Sequence, residues 1–197
     1  MRYSTRIDHT TQTRFDSLVA SWGRGVAIAS IQAGSIALTA GNATVDATIT
    51  AVNTSNALLL YLGYTSTSNT NSAKNGQARI SLVNATTVRA SHQFEDGTGG
   101  TSTVGYVVVE FMPGVLKSVQ AGTIDVNGGT SNTATITSVN TAKSFVSKLG
   151  TEQNGNALTD TQGEVRLALT NATTVTATIN TNPAAATITG FMVAEFF

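Results

Sequence analysis

The sequence predicts an all-β protein: two tandem homologous antiparallel β-sandwich modules preceded by a short N-terminal arm. Three observations carry that expectation. Four blocks of sequence recur in the same order about 85 to 88 residues apart. Within each copy, runs rich in β-branched residues alternate with Asn- and Gly-containing turn signals. Residues 1–25 share neither the vocabulary nor the period of the rest.

The repeat is read as follows. SIQAGSIAL at 30–38 returns as SVQAGTIDV at 118–126, and ATITAVNT at 47–54 returns as ATITSVNT at 134–141. ARISLVNATTVRA at 78–90 returns as VRLALTNATTVTA at 165–177, and GYVVVEF at 105–111 as GFMVAEF at 190–196. Four collinear blocks do not arise by chance, so a duplicated module is assigned to residues 26–112 and 115–197. In ARISL, Ala78, Ile80 and Leu82 alternate with polar residues, and their equivalents in the second copy are Val165, Leu167 and Leu169. A period of two places one side on a core and Arg79 and Arg166 on the other. LLLYLGY (58–64) and GYVVVEF are continuously apolar, which suits strands covered on both faces. The polar stretches 65–77 and 151–163 read as exposed loops. The short junction Met112-Pro113-Gly114 predicts a fixed relation between the copies.

The arm, residues 1–25, carries Arg2, Arg6, Arg14 and Arg24 against Asp8 and Asp16. Phe15, Leu18, Val19 and Trp22 follow the spacing of an apolar helix stripe, with Thr13 placed to cap it and Gly23 to end it. Three readings stand: the stripe packs on the first module, it docks on another chain, or the arm is a disordered tail.

Composition narrows the function. Eleven basic and eleven acidic residues cancel, which argues against a nucleic-acid binder. With no cysteine, disulfides and thiolate metal sites are out of reach. No export signal and no long apolar run is read, so no membrane partner is expected. No HExxH, GxSxG or phosphate-cradling loop is found, so no catalytic residue, metal or cofactor is assigned. The two histidines are His9 and His92; the latter aligns with Ile179, which reads as a strand surface position. Tyr61 aligns with Lys148 and Tyr64 with Thr151, so an aromatic sugar platform is restricted to the first module. Arg79 with Glu110, and Arg166 with Glu195, are the charged residues retained in both copies. Each pair is expected to form a structural ion pair within its module, the alternative being that the arginines face a neighbouring subunit.

The pattern SIQAG/SVQAG, ATITxVNT, RxxLxNATTVxA and terminal GxxVxEF resembles small β-rich repeats in virion structural proteins of tailed bacteriophages. The resemblance covers residues 30–197. It implies a non-enzymatic virion component made in the host cytoplasm, most simply a capsid decoration (cement) protein on the particle surface. Its partners would be the major capsid protein or other virion proteins, with a homo-oligomer expected. On this reading Arg2, Arg6 and Arg14 pair with carboxylates while Phe15, Leu18 and Trp22 fill an apolar groove of the partner. The alternative is a tail fibre or tail accessory, or a receptor- or glycan-binding module.

Overall fold

A computed structural model describes residues 27–39, 42–67, 77–92, 101–153, 164–183 and 186–197. The arm, with Arg2, Arg6, Arg14, Phe15, Leu18 and Trp22, lies outside the described residues.

Twelve antiparallel strands are seen among the described residues, six in each half. The first half holds β1 (Ile28–Leu38), β2 (Thr44–Thr48), β3 (Ala57–Ser66), β4 (Arg79–Asn84), β5 (Thr87–Ser91) and β6 (Ser102–Phe111). The second holds β7 (Leu116–Asp125), β8 (Ser131–Thr135), β9 (Ser144–Gln153), β10 (Arg166–Asn171), β11 (Thr174–Thr178) and β12 (Thr187–Phe196). In the first half the orders are β1-β6-β3 and β2-β5-β4; in the second, β7-β12-β9 and β8-β11-β10. The second half therefore repeats the strand order of the first. Facing sheets close each sandwich over a core, with Ile36, Leu59, Val88 and Val108 in the first and Ile124, Val175 and Val193 in the second.

The repeated residues explain the geometry. Tyr106 on β6 pairs with Gly34 on β1, and Phe191 on β12 pairs with Gly122 on β7. A Cβ on Gly34 would meet the Tyr106 hydroxyl at 2.6 Å, and one on Gly122 would meet the Phe191 ring at 2.7 Å. The glycine of the QAG motif is there because an aromatic ring lies across it. Each half also carries a bulge in which two residues oppose one, Leu62-Gly63 against Gly105 and Leu149-Gly150 against Gly190. Both bulge glycines have positive φ, 95° at Gly63 and 87° at Gly150, a region costly for a residue with a Cβ.

The halves are not self-contained. At Arg79 and Gly150, β4 pairs with β9, which joins two sheets into one of order β2-β5-β4-β9-β12-β7. Leu116, Leu149, Met192 and Ala194 of the second half belong to the core cluster of the first. The backbone N–H of Leu59 donates to Met192 Sδ at 3.3 Å. This clarifies the continuously apolar runs. On β12 both faces are covered, because its outer face packs on the first half. On β6 the outer residues Val107 and Val109 are only half-buried.

Two expectations are revised here. The run ATIT leaves the ladder after Thr48; beyond it the chain is held by the Gln32 side chain and by turn carbonyls. Thr151, Glu152 and Gln153 are buried strand residues, so the second polar stretch begins inside the sheet rather than in a loop.

Candidate functional site

Most polar residues retained in both copies serve the backbone of their own half. Gln32 grips Thr50 through both amide atoms, accepting from its N–H at 2.7 Å and donating to its carbonyl at 2.9 Å. Gln120 makes the same two bonds to Thr137, at 2.7 and 3.0 Å. Asn84 and Asn171 accept from the N–H of Thr86 and Thr173, closing the NATT turns. The carbonyls of those turns in turn accept from Ile49 and Val52, and from Ile136 and Val139. Asn53 and Asn140 cap single 3₁₀ turns at Thr54–Asn56 and Thr141–Lys143.

The retained glutamates complete this framework, and here the predicted ion pairs are corrected. Glu110 does not meet Arg79; it accepts from Ser30 Oγ at 3.0 Å and from the N–H of Asn53 at 2.8 Å. Glu195 does not meet Arg166; it accepts from Ser118 Oγ at 3.3 Å, the N–H of Asn140 at 2.9 Å and Lys117 Nζ at 2.8 Å. The reason is topological. The glutamates lie on β6 and β12, while the arginines lie on β4 and β10 in the opposite sheets. Lys117 first, then the Asn140 N–H, holds the Glu195 carboxyl below its ordinary value. Arg79 instead reaches Glu152 of the second half at 3.2 Å, and Glu152 also accepts from Ser91 Oγ at 2.7 Å. Arg166 is exposed.

His92 and Ile179 do occupy equivalent places: the N–H of His92 donates to Ala43 and that of Ile179 to Thr130. Both side chains are buried, so the strand-surface reading is also corrected. The His92 ring donates through Nε2 to the Asn42 carbonyl at 2.9 Å, and burial lowers its pKa to about 4.

A cleft of about 290 Å³ opens where the halves meet. It is lined by four repeat-equivalent pairs: Tyr61 and Lys148, Gly63 and Gly150, Tyr64 and Thr151, Gln77 and Glu164. The chemistry has diverged at three of the four, so this place, unlike the framework, was not kept constant by the duplication. Burial pushes the Tyr61 phenol up, so it stays a neutral donor. Burial also lowers the Lys148 ammonium, partly offset by Glu164 at 3.8 Å. Gln77 is buried, and its Oε1 has no hydrogen-bond partner. Two aromatic rings, an orphaned acceptor and a lysine–glutamate pair suit a small polar molecule. The differences between the copies at these positions are legible in the sequence, but the packing of the two halves is what sets them side by side.

Among the described residues no group of three or more His, Asp or Glu side chains is placed to hold a metal, and no helix is long and apolar enough to cross a membrane. Asp125 accepts from the N–H of Asn127 and of Thr187 and fixes a turn. In comparison with known proteins, the chain matches no family model, no curated protein and no solved structure.

Proposed function

We propose that the chain is a structural component of a phage particle, a capsid decoration protein anchored by its arm. One observation supports this reading above others: the polar residues that duplication preserved are committed to tying strands together, so what was duplicated is a scaffold. Doubling a scaffold enlarges a contact surface, and contacts that are weak singly become firm when repeated over a lattice. Arg2, Arg6, Arg14, Phe15, Leu18 and Trp22 then supply the anchor to the major capsid protein or another virion protein. Deleting residues 1–25 should leave a folded protein that no longer binds particles. Full occupancy by the truncated chain would remove the arm from the account, and absence of the protein from purified particles would remove the whole reading.

The cleft favours a second reading, a receptor- or glycan-binding accessory of the tail. Tyr61 and Tyr64 with the Gln77 acceptor are the residue types that stack on and hydrogen-bond to a sugar. Saturable oligosaccharide binding that is lost in Tyr64→Ala, together with antibody label at the tail tip, would favour it over decoration.

A further inference from the structure

The duplication leaves each half with the same two surfaces, and among the described residues one surface of each half is covered by the other half. In the second half, the outer face of the β7-β12-β9 sheet is covered by the first half. Leu149 on its bulge is 2% exposed, and the stem of Arg79 lies over Gly190, where a Cβ would meet it at 2.9 Å. The covering surface is the β3–β4 side of the first half, with Leu58 only 5% exposed. In the first half, the equivalent outer face belongs to the β1-β6-β3 sheet. There Leu62, the counterpart of Leu149, is 62% exposed, and Ile31 is 61% exposed. A Cβ on Gly105, the counterpart of Gly190, would meet nothing but Leu62, and one on Gly63 would meet open space. Among the described residues the β9–β10 side of the second half is also partly open. Phe145, the counterpart of Leu58, is 40% exposed beside Phe196, which in turn meets Phe111 of the first half, and Arg166, the counterpart of Arg79, is exposed.

We propose that these two surfaces meet between copies: the β9–β10 side of one chain covers the outer β1-β6-β3 face of the next, repeating the internal junction head to tail. The internal junction is the argument for a second copy as the occupant, since it displays which surface fits this face. β3 and β10 are edge strands, as β4 and β9 would be without each other, so sheet pairing is open to both. A head-to-tail contact uses different patches on the two partners and builds rings or open chains. It is weaker than the internal junction for two reasons. The counterpart of Glu152 is Thr65, so Arg166 finds no carboxylate there, and the internal contact gains from tethering. The inference is independent of the particle reading.

Sedimentation and light scattering of the full chain over a wide concentration range test it. Wild type should form species that grow with concentration. Leu62→Lys removes the accepting face and Phe145→Lys the covering side; each residue is exposed, and retained melting temperatures verify folding. Either variant alone should be monomeric, with its dissociation constant raised about tenfold or more. An equimolar mixture should give dimers and nothing larger, because one intact surface of each kind remains. Arg166→Glu provides a second covering-side variant and should behave as Phe145→Lys. Monomeric wild type, or a mixture that stays monomeric, overturns the proposal. So does assembly by Phe145→Lys alone, which would mean two-fold pairing of the outer faces. Assembly only after removal of residues 1–26 also overturns it, since that segment would then be the occupant.

Discussion

His92 and Ile179 show how one residue changes the behaviour of a duplicated position. The unfolded chain takes up a proton at a histidine near pH ~6.5, whereas the folded chain resists until about 4. The unfolded state binds more protons across that interval, so stability falls as pH is lowered through it, on the order of 3 kcal/mol. Replacing His92 with isoleucine, the residue of the other copy, should flatten melting temperature against pH between these values. An unchanged slope would assign the acid sensitivity elsewhere. Glu195 acts at lower pH: its folded value is depressed, so its contribution holds above the ordinary glutamate range and is lost as pH falls below it. Gln32 and Gln120 make matching bonds, so Gln32→Ala and Gln120→Ala should cost similar amounts, about 0.5–1.5 kcal/mol per bond lost, in urea unfolding. Clearly unequal costs would mean that the two clamps are not equivalent.

Between strands, glycines decide what fits. Gly122→Ala would drive a methyl group into the Phe191 ring, and overpacking of this kind costs about 1–3 kcal/mol. Gly150→Ala adds strain at positive φ to a clash with the Ala78 carbonyl, so it should separate β4 from β9. Gly63→Ala has the same strain but open space around it. Amide exchange where β4 and β9 meet should therefore accelerate in Gly150→Ala and stay near wild type in Gly63→Ala. Equal exchange in both variants would show that the β4–β9 pairing does not depend on Gly150.

For the molecule as a whole, the shared cluster implies that the halves melt together. Met192 sits in the second half yet packs in the core of the first, so Met192→Ala should cost about 2–5 kcal/mol and lower a single calorimetric transition. Two separated transitions in wild type would show that the shared cluster contributes little.

The sequence alone determined the duplication, the all-β class, and strands within ARISL, LLLYLGY and GYVVVEF. These follow from local rules, namely side-chain period, β-branching and turn chemistry, and each rule operates within a few residues of itself. Which carboxylate Arg79 would meet was not legible. Repetition suggested Glu110, but strand order set that residue in the opposite sheet and brought Glu152 from the other half. The same is true of the cleft and of the unequal burial of Leu62 and Leu149, identical residues at equivalent positions. Each precedes the positive-φ glycine of its bulge. What differs is whether the other half lies on top, and only the packing of the two halves decides that.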